Sequence, residues 1–322
     1  MSDTKRGNKM FVYAGEALAK YGFGDGHPFG PDRFHAFWNA FVTLGLDRRC
    51  TMMSPVDGAR QDLLLFHTPD YVDHVERMSE AGYGMLDPDT PVFSGAYEAA
   101  LSVVGSVLDA VTRIVEGEES AAFIPIAGLH HARRDGSAGF CIFNDCGIAV
   151  EALRQRHGVQ RIAYVDIDAH HGDGVFYAFE SDPDLFFVDL HEDGRFLYPG
   201  TGHAFETGKG EAVGTKLNLP LPPGSDDAVF FEHWPAAATF VEKSKPEFII
   251  LQCGADSIEG DPITSLAFTS AAHHHAAQEL FGIAHRCGAK GLLALGGGGY
   301  NRGNIANAWT AVVQGIIEGE SK

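Results

Sequence analysis

The segment Arg161-Ile-Ala-Tyr-Val-Asp-Ile-Asp-Ala-His-His-Gly-Asp-Gly174 carries the clearest sign of how this chain folds. It begins as a short run of apolar and β-branched residues, which is typical of a buried strand, and then becomes polar and glycine-containing. Similar short apolar runs recur along the chain with helical segments between them, and this alternation predicts a parallel sheet. The predicted strands are residues 121–127, 161–168, 185–190, 247–253 and 291–295.

The segments between these strands show helical periodicity. Residues 269–286 and 303–317 have the pattern of amphipathic or buried helices. No linker or internal repeat divides the 322 residues. We therefore expect an α/β fold with a central, mostly parallel sheet covered by helices on both faces, in a single domain spanning residues 1–322 with an ordered core at about 10–318. A further apolar repeat at helical spacing consists of Leu101, Val104, Leu108, Val111 and Val115.

The charge balance limits the possible partners. The chain has 24 Lys and Arg against 43 Asp and Glu, which gives a net charge of −19. Such a charge repels phosphate backbones, so no nucleic-acid partner is expected. It attracts cationic ligands, although solubility alone explains it equally well. We also find no apolar stretch long enough to cross a bilayer, so no membrane partner is expected.

The cysteines and the first residues bear on the cellular compartment. The five cysteines are scattered and lack CxxC spacing, which favours a reducing environment. The basic residues Lys5, Arg6 and Lys9 precede an apolar stretch that contains Glu16 and lacks a small-residue cleavage site. We therefore expect no secretory signal and a cytoplasmic location.

Polar residues after two of the predicted strands form a candidate metal site. Ligands bind beyond the carboxyl ends of parallel strands, and Asp166, Asp168 and His170 are spaced by two residues at such an end, facing one side. Asp256 follows the strand predicted at 247–253 and would reach the same edge. Two carboxylates and one imidazole suit zinc and leave a position open for water, as in catalytic zinc sites. The alternative is that these acids only cap loops and helices.

His130 and His131 are adjacent and follow the strand predicted at 121–127. Two neighbouring histidines beside a carboxylate-rich loop are typical of proton-transfer groups, each oriented by an aspartate. Asp166 and Asp173 are the candidate partners. The alternative is a pair of surface histidines.

The run His273-His-His275 calls for a different interpretation. It lies within the helix predicted at residues 269–286, where consecutive side chains diverge around the axis and cannot hold one ion together. We interpret the run as a solvated helix face.

The segment Leu293-Ala-Leu-Gly-Gly-Gly-Gly-Tyr300 is a predicted strand that leads into four glycines. Glycines let a backbone approach a ligand closely. A nucleotide-binding loop is not supported, because GxGxxG fails in both registers and no GK[ST] occurs. We therefore expect the glycines to present Tyr300, whose phenol would donate a hydrogen bond to a developing oxyanion.

These residues resemble the histone-deacetylase-like amidohydrolases of the arginase/deacetylase fold, which comprise histone deacetylases, acetoin-utilisation proteins and acetylpolyamine amidohydrolases. The resemblance covers nearly the whole chain. Its motifs are Gly26-His-Pro-Phe-Gly-Pro-Asp-Arg33, His67-Thr-Pro-Asp-Tyr-Val72, His130-His131, Gly139-Phe-Cys-Ile-Phe-Asn-Asp145, residues 166–174, Pro199-Gly-Thr-Gly202, Gly254-Ala-Asp-Ser-Ile-Glu-Gly-Asp-Pro262 and residues 295–301.

The resemblance implies a zinc-dependent deacetylase that hydrolyses the amide of an acylated amine with metal-activated water. Its zinc ligands would be Asp168, His170 and Asp256. Arginases share the fold and bind two manganese ions, but the positions that would supply carboxylates for a second metal hold Gly172 and Ile258. A single-metal site is therefore expected.

The resemblance also assigns roles around the metal. His131, paired to Asp173, would be the general base and later the general acid. His130, paired to Asp166, would act electrostatically, and Tyr300 would hydrogen-bond the scissile carbonyl opposite the zinc.

Bound monovalent cations are a further implication of the resemblance, with potassium as a structural ion beneath the zinc loop. Asp189 stands there where relatives commonly have serine. A second, more distant cation site would use carbonyls near Phe179, Asp182 and Leu185. The proximal site would involve Asp166, Asp168, His170, Asp189 and Leu190.

An acyl-lysine tunnel is implied as well, although core packing is the alternative for its two aromatic residues. Arg33 resembles a residue near the acetate exit cavity, with a surface or salt-bridge role as the alternative. The substrate-binding residues would be Gly139, Phe140, Tyr198, Ile263 and the rim carboxylate Asp89.

For an enzyme, the expected substrate is an acyl-lysine protein or a small acylated amine. Ile263 is apolar and cannot supply a carboxylate for a distant polyamine ammonium, which favours acyl-lysine. An acetylpolyamine amidohydrolase is the alternative, and a catalytically silent binding protein is the more remote one. The complete set of ligands, histidines and Tyr300 favours an enzyme, and the oligomeric state cannot be read from the sequence.

Overall fold

The computed structural model of the chain describes residues 10–24 and 26–319. Residues 1–9, on which the expectation of no secretory signal partly depends, lie outside the described residues, as do residues 320–322 of the expected domain. Within the described residues, eight strands form one parallel sheet, and two more form a short antiparallel hairpin. The strands are β1 (Phe11–Tyr13), β2 (Thr51–Met53), β3 (Met85–Asp87), β4 (Thr90–Pro91), β5 (Ala121–Ile124), β6 (Ile162–Asp166), β7 (Leu185–Glu192), β8 (Lys216–Leu221), β9 (Phe248–Gln252) and β10 (Leu292–Leu295).

The sheet order is β2-β1-β5-β10-β9-β6-β7-β8, and the β3–β4 hairpin stands apart from it. Helices cover both faces, as expected for this α/β fold; one packed group contains α2, α8, α9 and α10, and another contains α5 and α6. The described helices are α1 (Glu16–Ala19), α2 (Asp32–Thr43), α3 (Arg60–Leu63), α4 (Pro69–Ala81), α5 (Ala96–Glu116), α6 (Asp145–His157), α7 (Asp173–Ala178), α8 (Asp227–Ser244), α9 (Ser270–Cys287) and α10 (Arg302–Gly319).

The central strands are buried along their whole length. β5, β6, β9 and β10 have no exposed or half-exposed residue, which is why each reads as a continuous apolar run instead of an alternating one. All five predicted strands are present. Their ends differ by a few residues, since β5 stops at Ile124 and β7 continues to Glu192. The three predicted helices correspond to α5, α9 and α10.

Three strands of the sheet escaped the sequence-based prediction. β1 and β2 have only three residues each, which is too short for a periodic pattern. β8 contains Lys216, Asn218 and Pro220, which interrupt its apolar character. No helix among residues 10–24 and 26–319 is both long enough and apolar enough to span a bilayer.

The interpretation of residues 273–275 as a solvated face is wrong for His273. This residue is fully buried in α9, and its Nε2 donates a hydrogen bond to the carbonyl oxygen of Gly254 at 2.8 Å. His274 and His275 remain partly exposed and pair with glutamates. Because consecutive side chains of a helix point in different directions, one of the three histidines faces the interior.

A close contact between α5 and the loop before α3 gives a test of the packing. A Cβ added to Gly105 would lie 2.2 Å from both the Gly58 nitrogen and the Val56 carbonyl oxygen. We expect Gly105→Ala to lower the free energy of unfolding by about 1–3 kcal/mol, because neither backbone group can move freely. Chemical denaturation measures this change.

The matched control is Gly282→Ala in the middle of α9. Among the described residues outside its own helix backbone, a Cβ there would meet only the end of the flexible Arg286 side chain, at 3.1 Å. Alanine has the higher helix propensity, so this substitution should be neutral or stabilise by about 0.5–1 kcal/mol. Equal stabilities of the two variants would contradict the described α5 packing.

Candidate metal centre and active site

The candidate site lies where the carboxyl ends of five neighbouring strands meet. β5, β10, β9, β6 and β7 are adjacent and parallel, so the residues that follow them share one edge of the sheet. The structure brings together at this edge His130 and His131 after β5, Tyr300 after β10, Asp256 after β9, Asp168, His170 and Asp173 after β6, and Asp189 on β7.

Asp168, His170 and Asp256 form a buried group that fits a metal ion. One ligand atom from each residue lies within 4.8 Å of the other two. The Nδ1 atom of His170 is 3.0 Å from Asp168 Oδ1 and 3.2 Å from Asp256 Oδ2. Two carboxylates and one imidazole that point at a common centre are a donor set that divalent metals accept.

Glycines make room for these carboxylates. A Cβ on Gly254 would lie 2.0 Å from Asp168 Oδ2, and a Cβ on Gly298 would lie 2.1 Å from Asp256 Oδ2. Gly298 belongs to the glycine run before Tyr300. This run therefore makes room for the carboxylates in addition to leading the backbone to Tyr300.

The remaining carboxylate oxygens are held by hydrogen bonds. Asp168 Oδ2 accepts from Gln252 Nε2 at 2.8 Å and from the Gly298 nitrogen at 2.9 Å. Asp256 Oδ1 accepts from the Ala169 nitrogen at 2.9 Å. Each carboxylate is therefore fixed through one oxygen while the other faces His170, and such outer contacts orient metal ligands.

Electrostatics also favour a cation at this centre. Burial and the neighbouring Asp168 raise the pKa of Asp256 to about 7. Burial alone would lower the pKa of His170, but its hydrogen bonds with Asp168 and Asp256 raise that pKa well above its usual value. Without a metal the group therefore holds a proton between its members, and metal binding displaces such protons.

Beside this group, both predicted histidine–aspartate pairs are present. His131 Nδ1 is 2.7 Å from Asp173 Oδ1, and His130 Nδ1 is 2.8 Å from Asp166 Oδ2. The Nε2 atoms of the two histidines are 3.1 Å apart. The rings are buried, so the alternative of surface histidines is wrong.

The two pairs differ in their electrostatics. Burial and the neighbouring His130 lower the pKa of His131 against the opposing effect of Asp173, so this imidazole is neutral near pH 7 and can accept a proton. Burial and the nearby Asp189 raise the pKa of Asp166 well above its usual value. The pair that includes Asp166 therefore sits among more negative charge, and the pair that includes His131 is better suited to act as a base.

Tyr300 is fixed at the edge of the site. Its backbone nitrogen donates to Asp261 Oδ2 at 2.8 Å, and its ring packs edge-on against Phe140 with centroids 5.7 Å apart. Burial raises the pKa of the Tyr300 phenol well above its usual value, as do the charges of Asp256 and Asp168. The phenol therefore stays protonated at neutral pH and remains a hydrogen-bond donor.

Arg33 lies behind the glycine run. It is fully buried, and it donates from Nε to the Gly299 carbonyl oxygen at 2.8 Å and from Nη2 to that of Gly297 at 2.6 Å. The alternative of a surface arginine is therefore wrong. The guanidinium also lies 3.9 Å from the ring centroid of Phe29, and together these contacts fix the backbone that leads to Tyr300.

Gly139 and Phe140 line the approach to the site. Gly139 has a φ of +55°, and a Cβ there would lie 2.4 Å from the His131 ring, so only glycine fits. Phe140 also has a positive φ, of +68°, and its ring contacts that of His27. A narrow pocket is lined by Phe29, His130, His131, Gly139, His170 and Tyr300.

The other expected substrate residues lie farther out. Tyr198 is 44% exposed with its ring 5.3 Å from that of His131, so core packing does not explain it. Ile263 is 38% exposed. Asp89 lies on the β3–β4 hairpin, where burial and the adjacent Asp87 raise the pKa of its carboxyl to about 6. Among the described residues, no hydrogen bond or ion pair links the Asp89 carboxyl to the metal group, so its role at the rim remains a prediction.

Asp189 is buried on β7, in register with Asp166 on β6, and both of its oxygens have partners. Oδ2 accepts from the Gly172 nitrogen at 2.9 Å, and Oδ1 is 2.8 Å from His191 Nδ1. Leu190 follows it within β7. The proximal potassium site at these residues stays a prediction.

Sequence reasoning missed several supporting residues. Gln252 ends the buried strand β9, and a polar residue at that position was a usable signal. Asp145 accepts from the Gly128 and Leu129 nitrogens at 2.8 and 3.2 Å and so holds the segment that precedes His130. The Tyr164 hydroxyl donates to Asp166 at 2.7 Å, which nothing in the apolar run around it indicated.

Similarity to known proteins identifies the family of this chain. Residues 27–316 match the model of the histone deacetylase domain family, and the chain therefore belongs to that family of deacetylases, which are amidohydrolases. It is 34% identical over 317 residues to the acetoin utilization protein AcuC of Bacillus subtilis, covering 95% of this chain and 81% of that protein. It is 31% identical over 324 residues to the histone deacetylase clr6 of Schizosaccharomyces pombe, covering 97% and 77%.

The fold agrees with a solved structure as well. The crystal structure of the HDA15 HD domain superposes with a TM-score of 0.87 at 29% identity, covering 96% of this chain and 88% of that one. Human histone deacetylase 1 is 33% identical over 315 residues, and this match covers 94% of the chain but 63% of that longer protein.

The close approach of Gly298 to the carboxylates gives a test of the metal site. Gly298 has no positive φ, so alanine is allowed by its backbone, but the added methyl group would press on Asp256 and Asp168. We expect Gly298→Ala to weaken divalent-metal binding by about 10- to 100-fold, as loss of supporting contacts does at other metal sites. Metal titration of the purified variant measures this loss.

The matched control is Gly136→Ala in the loop after His131. A Cβ at Gly136 would meet no heavy atom of the described residues within 4 Å, so metal binding should be unchanged. An unchanged metal affinity in Gly298→Ala would count against the Asp168–His170–Asp256 group as the metal site.

Proposed function

We propose that this chain is a zinc-dependent deacetylase that hydrolyses the amide of an acylated amine, with acyl-lysine as the favoured substrate. The observation that carries the proposal is the placement of the buried Asp168–His170–Asp256 group beside the His131–Asp173 pair. The first offers metal ligands and the second offers a neutral base. Membership of the histone deacetylase family supports the same reaction class.

The three ligand residues would hold one zinc ion. Zinc bound there supplies a Lewis acid and lowers the pKa of a water molecule. A second metal is not expected, because Gly172 and Ile258 stand where further carboxylates would be needed. The choice of zinc over other divalent metals is part of the proposal.

His131 would take the proton from the attacking water on Nε2. Asp173 accepts from the opposite nitrogen at 2.7 Å, which leaves Nε2 unprotonated as the acceptor and stabilises the imidazolium that forms. His131 would then return the proton to the leaving amine nitrogen. His130 would remain an electrostatic neighbour, 3.1 Å away through Nε2 and tied to Asp166.

Tyr300 would stabilise the oxyanion of the tetrahedral intermediate. Its phenol is a protonated donor at neutral pH, and its backbone is held by Asp261 from one side while Arg33 binds the glycine run from the other. A donor that is positioned before the reaction costs no reorganisation when the charge develops.

A structural potassium ion near Asp189, a single domain and a cytoplasmic location also remain proposals. All five cysteines are free thiols, and four of them are buried, which supports a reducing compartment.

The Tyr300→Phe variant tests the mechanism. Loss of the phenol oxygen should cost about 2.7–4 kcal/mol of transition-state stabilisation, roughly a hundred- to a thousandfold in kcat, as loss of one oxyanion donor does elsewhere. Zinc content should stay unchanged, because the phenol is not among the ligands. The measurement combines kcat, KM and zinc stoichiometry on one preparation.

Tyr177→Phe is the matched control. This tyrosine is 43% exposed, its hydroxyl donates to Glu206, and its loss should leave kcat within about twofold. If Tyr300→Phe also stayed within about threefold of the wild-type rate, Tyr300 would have no part in the reaction.

The substrate preference has its own test. We expect a higher kcat/KM for an acetyl-lysine peptide than for acetylputrescine, by about tenfold, because the apolar Ile263 offers no carboxylate to a distant ammonium. Ile263→Glu should narrow this ratio by improving acetylputrescine turnover. A wild-type preference for acetylputrescine would instead identify an acetylpolyamine amidohydrolase, and no turnover of either would favour a silent binding protein.

A further inference from the structure

Lys216 is a buried lysine that the proposed reaction does not use. It begins β8, and only 2% of its surface is exposed. Its Nζ donates to the carbonyl oxygens of Asp182 at 2.8 Å and Leu185 at 2.6 Å, and to Thr215 Oγ1 at 2.8 Å. Thr215 Oγ1 can accept because its own proton goes to a carbonyl oxygen of the preceding turn. Three neutral oxygens therefore surround one ammonium group.

This arrangement differs from an ordinary ion pair. The carboxylate of Asp182 pairs with Arg154, and Lys216 donates its hydrogen bond to the backbone oxygen of Asp182 and not to the carboxylate. Carbonyl and hydroxyl oxygens that converge on one positive charge are the ligands with which proteins replace the hydration shell of potassium. The ammonium thus occupies a position that has the chemistry of a monovalent-cation site.

We propose that the Lys216 ammonium is a built-in replacement for a bound monovalent cation at this position. The family resemblance implied a second cation site formed by carbonyls near Phe179, Asp182 and Leu185, and Lys216 donates to two of those three residues. A covalently attached ammonium group would therefore take the place of the exchangeable ion that was expected there.

The ammonium joins three separate segments. Asp182 lies in the turn after α7, Leu185 begins β7, and Thr215 directly precedes β8. If the positive charge were lost, oxygens from three segments would face each other in a buried place without a donor. Unsatisfied buried groups of this kind are costly, so a replacement cation should be attracted.

The charge state is compatible with this role. Burial lowers the pKa of Lys216 to about 8, with the charges of Asp182 and Glu180 opposing the shift and that of Arg154 adding to it. At pH 7 the ammonium form therefore still prevails by about ten to one.

The test replaces the ammonium by an empty space. Lys216→Ser leaves the three oxygens in place and opens the position to a small cation. In N-methylglucamine chloride we expect the melting temperature of this variant to fall by at least about 3 °C below that of the wild type. An equal ionic strength of potassium chloride should restore at least half of the loss.

Two further variants separate cation binding from other effects. Lys216→Met leaves the three oxygens without a donor, so this variant should be less stable than the wild type. Its long side chain still fills the space, so it should gain nothing specific from potassium. Lys209→Ser removes an exposed lysine that pairs with Glu180 in the same region, and it should respond to potassium as the wild type does. Any change in the wild-type melting temperature with potassium reports other cation sites in the protein. This change is subtracted from the change measured for each variant.

The outcomes are distinct. A potassium response larger in Lys216→Ser than in the wild type and in Lys216→Met supports the proposal, as does a serine variant that folds only in potassium. The proposal fails if potassium and N-methylglucamine act equally on Lys216→Ser. It also fails if Lys216→Met is as stable as the wild type, and that measurement decides the matter should the serine variant not fold in either salt.

Discussion

The buried carboxylates at the carboxyl edge of the sheet impose the constraint on which the site depends. Asp166, Asp168, Asp189 and Asp256 are all at most 1% exposed, on or next to three neighbouring strands. Carboxylates so close together in a low-dielectric interior cannot all remain ionised unless positive charge or protons are present. The negative charge of these carboxylates therefore favours a bound cation at the site. His170 lies between two of the carboxylates, those of Asp168 and Asp256.

The backbone around these carboxylates follows from the same constraint. A carboxylate that must face a common centre needs its second oxygen fixed, and backbone N–H groups with the Gln252 amide provide this without adding charge. A side chain at Gly254 or Gly298 would collide with these carboxylates, so both positions need glycine. The four glycines before Tyr300 thus combine two tasks, which explains why they look like a nucleotide loop but lack its spacing.

Much of this was predictable from the sequence. The buried strands stood out because parallel strands covered on both faces are continuously apolar, and the polar residues after them mark the site edge. Contacts between distant segments were not predictable. Neither the burial of His273 nor the hydrogen bond of Tyr164 to Asp166 follows from local pattern, since both depend on what packs opposite. The strand β8 was hidden by Lys216, whose charge lowers the local hydropathy although it is buried.

The metal centre and the proposed cation position at Lys216 differ in what each requires of its cation. In the proposed mechanism the centre at Asp168, His170 and Asp256 has to leave room for a reacting water and substrate, so its cation would need open coordination and strong polarising power, which an ammonium lacks. The position at Lys216 offers only neutral oxygens that hold segments together, and it exchanges nothing during the proposed reaction. A tethered ammonium suffices there, and because it is part of the chain it cannot dissociate, so this part of the fold is expected not to depend on the surrounding salt.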